Sequence, residues 1–185
     1  MVKLTTMRRL IIIAFALWGF LQAAPGVQGF PALRYEGGPG IYAPLGGWTK
    51  NLGAGPVLSL RVVHPWKSRM AIGAGTGFLQ LRGKADQDLI YKGVPVTLWA
   101  GFKLLTMRSE QEIWAWAGGG VLRSQVALSG GKETSTDPLT EVGLSGSVPV
   151  ADRLQIIMEA KYDEVFAEKQ DGRGVSFGLG LRYGK

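Results

Sequence analysis

The chain of 185 residues contains no cysteine. That excludes a disulfide scaffold, a zinc ribbon, a thiol nucleophile and a lipid-anchored cysteine after the leader. A single histidine, His64, leaves no room for a histidine-rich metal site, and any Ser-His-Asp chemistry would hang on that one residue. No apolar run reaches the ~20 residues of a spanning helix. No window after residue 29 keeps a 3.6-residue period, so amphipathic helices are not expected there. Runs of Lys and Arg interleaved with aromatics are missing too, which removes nucleic acid from the expected partners.

What is abundant is glycine, 28 residues, about twice the usual ~7%. The N-terminus has a distinct layout. Lys3, Arg8 and Arg9 precede the apolar stretch Leu10 to Leu21, and the small-residue segment Ala23-Ala24-Pro25-Gly26-Val27-Gln28-Gly29 follows. This is the pattern of a secretory signal peptide. Cleavage is possible after Ala23 or after Gly29, and the small residues Val27 and Gly29 favour the second site. The expected organisation is a signal peptide over 1–29 and one domain over 30–185. The formal charge of +7 then falls to +4, with 18 bases against 14 acids.

The mature segment repeats with period 2. In Val175-Ser176-Phe177-Gly178-Leu179-Gly180-Leu181-Arg182-Tyr183 the odd positions are apolar or aromatic and the even ones small or polar. The same alternation marks eight strands, near 34–44, 52–63, 69–82, 90–105, 111–127, 138–149, 153–166 and 174–184. Connections at 64–68, 106–110 and 150–152 are short, and those at 45–51, 83–89, 128–137 and 167–173 are longer. Short turns at one end and longer loops at the other predict an all-β, closed, antiparallel up-and-down transmembrane barrel, with both termini on the periplasmic side.

The polarity of the two faces decides between lipid and water outside. Opposite the aliphatic face stand Gly73, Gly75, Gly77, Gly101, Gly143, Gly178 and Gly180, with Ser59, Ser145, Ser147 and Ser176. A soluble barrel would show Lys and Glu to water; small residues suit the crowded lumen of an eight-stranded barrel. The predicted lipid-facing set is therefore Leu58, Leu60, Val62, Ile72, Phe78, Val96, Leu98, Phe102, Leu144, Ile156, Met158, Phe177, Leu179 and Leu181. Tyr35, Trp66, Trp114 and Tyr183 at the turn end, with Tyr91 and Tyr162 towards the loop end, are assigned to interfacial girdles.

Together, these features resemble the small outer-membrane β-barrel superfamily, the OmpA- and OmpX-type barrels. The resemblance spans residues 30–185. It rests on the leader, the eight segments, the final Gly-Val-Ser-Phe-Gly-Leu-Gly-Leu-Arg-Tyr and the preceding Pro-Val-Ala-Asp-Arg-Leu-Gln-Ile-Ile-Met-Glu-Ala-Lys-Tyr. It implies a Gram-negative outer membrane location, contact with outer-membrane lipid and lipopolysaccharide, and a last strand read by the barrel-assembly machinery. The family has a terminal aromatic, where this chain has Tyr183 followed by Gly184 and Lys185. Members range from structural and adhesive to enzymatic, so the likeness speaks to fold more than to function.

Two constellations bear on chemistry. Inward parity is assigned to Glu36, Arg61, Lys103, Arg123, Glu141, Glu159, Lys161, Asp163 and Arg182, four acids against five bases. In a narrow lumen these should pair, with Glu36 held between Arg61 and Arg182 because strand one neighbours strands two and eight. Glu112 is placed outside, at the interface. His64 sits in a His-Pro segment beside Trp66 without a partner serine, and reads as an interfacial residue. The Gly-rich stretches lack the Lys-Ser/Thr and helix of a phosphate loop. No cofactor, metal or catalytic group is expected. The expected role is structural or surface-interacting, with a narrow pore as the alternative and a lipid-modifying enzyme behind it.

Overall fold

A computed structural model describes residues 33–84, 89–107, 110–128, 131–167 and 171–184 of the chain. The expected signal peptide over 1–29 lies outside the described residues. Eight strands follow in order: β1 (Arg34–Leu45), β2 (Gly55–Lys67), β3 (Met70–Arg82), β4 (Ile90–Thr106), β5 (Glu112–Leu128), β6 (Gly131–Ala151), β7 (Leu154–Val165) and β8 (Gly172–Tyr183). Each pairs antiparallel with its sequence neighbours, and β1 pairs with β8, so the sheet closes on itself. A single 3-10 turn, Gly46–Lys50, sits in the first loop.

Every side chain of the predicted lipid-facing set is exposed on the outside, from Val62 at 36% to Leu98 at 71%. Charged and aromatic side chains fill the inside. A water-soluble barrel has the reverse polarity, so this apolar belt matches a hydrocarbon surround. Period 2 ties each strand's whole set to one face, and the register is correspondingly firm.

Two boundaries differ from the sequence expectation. The segment expected as a loop over 128–137 is strand from Gly131 onward, paired from Leu128↔Gly131 to Leu122↔Asp137. The run Lys132-Glu133-Thr134-Ser135-Thr136-Asp137 holds no apolar residue, and its β-branched threonines suit a strand with a polar outer face. β7 meets β6 only from Leu139↔Val165, so β6 from Pro138 back to Gly131 runs about 27 Å beyond that pair at ~3.4 Å per residue, bonded to β5. At the other end, β2 continues through His64 and Pro65 to Lys67 with a bulge, leaving Ser68 and Arg69 as the turn. His64 is thus a strand residue, on the outward parity of Leu60 and Val62.

Lumen glycines make room for indoles. Gly73 pairs with Trp99 and Gly143 with Trp116 across their ladders. A Cβ on Gly73 would lie 2.5 Å from the Trp99 ring, and one on Gly143 would lie 2.5 Å from the Trp116 ring. Trp48 covers Gly172 and Tyr42 covers Gly174 in the same way nearer the loops. Gly146, on the outer face, would meet nothing within 4 Å. We therefore expect Gly143→Ala and Gly73→Ala to lower the unfolding temperature in lipid, since an indole or the backbone must shift. Gly146→Ala should be neutral or stabilising by up to about 1 kcal/mol through reduced unfolded-state freedom. Thermal unfolding followed by tryptophan fluorescence checks the contrast.

Candidate functional site: the lumen charge network

The lumen is filled in tiers. Nearest the short turns, Arg182 is the hub, its side chain 4% exposed. Its Nε donates to Glu36 on β1 at 2.6 Å. Its Nη1 reaches Glu112 on β5 at 3.4 Å, Ser147 on β6 at 3.1 Å and Gln155 on β7 at 3.1 Å. Glu112 in turn accepts from Lys103 Nζ at 2.7 Å and from the Trp114 indole at 3.0 Å, and lies 3.5 Å from Arg34. A guanidinium has five donors in a fixed fork, which lets one side chain tie together four strands besides its own.

One tier higher, Arg61 forms an ion pair with Glu159. Its guanidinium lies over the Trp116 ring at 4.6 Å and near Trp99 at 5.8 Å. Arg61 was expected to share Glu36 with Arg182; the ion pair it makes is instead with Glu159 across the bore. Above it, Lys161 lies 3.2 Å from both Glu141 and Asp163. The loop end is closed by an apolar plug of Tyr42, Leu52, Leu79, Leu81, Tyr91, Leu122, Leu139 and Val165.

Four placements correct the sequence reading. Arg123 is exposed and outward, on the ribbon rather than in the lumen. Glu112 is buried inside rather than at the outer interface. Trp114 and Tyr91, assigned to the girdles, are buried in the lumen at 7% and 6% exposure. The cause lies in β5 and its neighbours. There the bulky residues Glu112, Trp114, Trp116 and Leu122 turn inward and the small Ala115, Ala117 and Gly119 turn outward. The inward glycines opposite, such as Gly143, leave the space. The small-residue rule that works on β3 and β8 inverts on this strand. The available signal was parity: Glu112 alternates with Trp114 and Trp116, and Ile113 and Val121 share the other face. With Arg123 out and Arg34 and Glu112 in, the lumen holds five bases (Arg34, Arg61, Lys103, Lys161, Arg182) and five acids (Glu36, Glu112, Glu141, Glu159, Asp163).

The other aromatics lie outward. Tyr183, at 49%, pairs across the closing seam with Tyr35, and Trp66 is 57% exposed, all at the short-turn end. Tyr162 is outward and half-buried. His64 lies on the outer face, away from every lumen acid. Among the described residues no cluster of three or more His, Asp or Glu is placed to hold a metal ion.

The void left in the lower lumen, among Glu36, Arg61, Trp99, Trp114, Trp116 and Arg182, measures about 10 Å³. That is room for one water at most. At this level the arrangement stiffens and seals the bore.

No family model and no curated protein sequence matches the chain. Solved structures do. Neisserial surface protein A superposes with a TM-score of 0.64 at 12% identity, covering 82% of this chain and 97% of that one. The N-terminal β-barrel domain of Pseudomonas aeruginosa OprF gives 0.56 at 10% identity, covering 84% and 100%. Ail, the attachment invasion locus protein of Yersinia pestis, gives 0.54 at 15%, covering 85% and 100%. The fold is that of the small eight-stranded outer-membrane barrels.

Because Glu36 makes the shortest bond to the buried Arg182, its removal leaves that guanidinium with only the longer contact to Glu112 and one acid too few in the lumen. Glu36→Ala should cost on the order of 3–5 kcal/mol. Arg123→Ala, at an exposed site, should cost less than about 0.5 kcal/mol. Urea titrations in lipid vesicles compare the two; equal losses would show that the clasp contributes nothing.

Proposed function

We propose that the protein is a non-catalytic integral barrel of the bacterial outer membrane, delivered by its N-terminal leader, that presents the β5–β6 ribbon as a contact surface outside the cell. One observation carries the reading: the lower bore is filled while the β5–β6 part of the wall, with β5 still paired to β4, rises above the end of β7 and shows a polar outer face. Lys132, Thr134, Thr136, Arg123 and Gln125 are exposed along it. Ser124 and Ser135 bridge its strands at 2.9 Å, and Ser135 donates to Asp137 at 2.6 Å. Ser124 is buried, so this pair ties the inner side of the β5–β6 wall, and the exposed residues form its outer side. On this reading lipid and lipopolysaccharide surround the belt, and the barrel-assembly machinery inserts the chain by way of β8. The pore alternative has the 10 Å³ void and the apolar plug against it. The enzyme alternative has against it a lone histidine on the outer face.

The absence of native cysteine makes the topology simple to test. In intact cells Thr134→Cys should react with a membrane-impermeant maleimide, and Ser68→Cys should react only after the outer membrane is opened. Labelling of Ser68→Cys but not Thr134→Cys in intact cells would reverse the orientation and remove the ribbon as a surface element. Replacing 124–136 by a tight turn should leave a folded barrel but abolish its contribution to cell adherence. In planar bilayers the wild type should show no stepwise conductance; regular channel steps would favour the pore.

A further inference from the structure

The apolar belt has a gap on one side of the barrel. On the outer face of β3, β4 and β5 the small residues Ala74, Ala100 and Ala117 lie between the larger Val62, Ile72 and Leu98. They form a groove of about 580 Å³. That is within the roughly 300–1,000 Å³ of ordinary ligand sites. Register places it low on the barrel: His64 pairs with Ile72, Ile72 with Ala100 and Ala100 with Ala117, while Val62, Ala74 and Leu98 form the next row up.

His64 lines this groove. Just below, the chain runs Trp66-Lys67-Ser68-Arg69. Lys67 lies 5.3 Å over the exposed Trp66 ring, and Lys67 and Arg69 are both exposed. No acid occurs between His64 and Met70. Tryptophan marks headgroup depth, so the cations lie at the headgroups and the groove lies just inside the acyl region.

From this juxtaposition we propose that the groove seats one anionic glycerophospholipid of the periplasmic leaflet. An acyl chain covers Ala74, Ala100 and Ala117 beside His64, and the phosphate faces Lys67 and Arg69. The site rests on the membrane location and orientation proposed above. The neutral partner for the chain is shape: small side chains let a lipid tail approach the sheet closely. The charged partner is the run of cations without a compensating acid, which favours an anionic headgroup over a zwitterionic one.

The test uses the protein in nanodiscs of mixed phosphatidylglycerol and phosphatidylethanolamine, released into detergent and weighed by native mass spectrometry. Wild type should keep one phosphatidylglycerol. Ala100→Leu with Ala117→Leu should reduce the lipid-bound fraction about ten-fold, a ~1.4 kcal/mol loss. Lys67→Gln with Arg69→Gln, at exposed positions that do not threaten folding, should keep a lipid but lose the preference for phosphatidylglycerol. Undiminished retention after filling the groove, or no preference in wild type, would overturn the proposal. A wild-type dimer that the filled groove abolishes would also overturn it, assigning the face to a second copy of the chain. Heat-modifiable migration of the same samples reports insertion of the barrel separately, so failure of the membrane reading is distinguishable.

Discussion

Arg182 stands where the barrel must close. It belongs to the last strand, and its shortest bond is to Glu36 on the first. A sheet can join its edges only if the seam is specified, because backbone pairing alone tolerates a slipped register. Here the outer face of the seam carries Tyr35 opposite Tyr183, and the inner face carries Glu36 opposite Arg182. A slip of one residue would put an acid and a guanidinium into hydrocarbon and two tyrosines into the bore. The same guanidinium reaches Glu112, Ser147 and Gln155, so the seam is tied to three further strands.

The rest of the lumen follows from having to bury charge without water. Five acids and five bases neutralise one another in tiers, and indoles laid over lumen glycines fill what remains. Arg61 illustrates the economy of the packing: it meets Glu159 and at the same time lies on the Trp116 face. Such contacts with an aromatic face favour an arginine over a lysine at that position. A bore filled in this way is stiff, which is why the proposed roles lie on the outer surfaces: the apolar belt with its groove, and the β5–β6 wall above β7.

The fold was legible because alternation is strong wherever one face meets lipid. The outward set from Leu58 to Leu181 could be read residue by residue, and seven of the eight strand positions needed only end adjustments. β6 runs further than its pattern suggests because Lys132 to Asp137 has no apolar residue: Ser135 and Asp137 lie opposite the buried Ser124 and Leu122, so no period-2 hydrophobic signal marks the strand. The lumen was read well on β1, β7 and β8, where charges alternate with aliphatics. It was misread on β5, where Trp114 was treated as an interfacial anchor and Glu112 as its exposed neighbour. Tryptophan is at home both at a membrane interface and in a tight lumen, and the ladder partners of Trp114, Lys103 and Ser145, place it in the lumen. Tyr91 likewise turns into the loop-end plug, and Arg123 faces out because it shares the outward parity of Val121, between the buried Leu122 and Ser124.

The clasp between first and last strands can be measured as a coupling rather than a loss. Single and double replacements of Glu36 by Gln and Arg182 by Met, unfolded by urea in the same lipid, form a double-mutant cycle. A direct buried contact predicts a coupling of about 1–3 kcal/mol, with the double variant more stable than the two single losses would sum to. Additivity within about 0.5 kcal/mol would contradict the account, since the seam would then close without the pair.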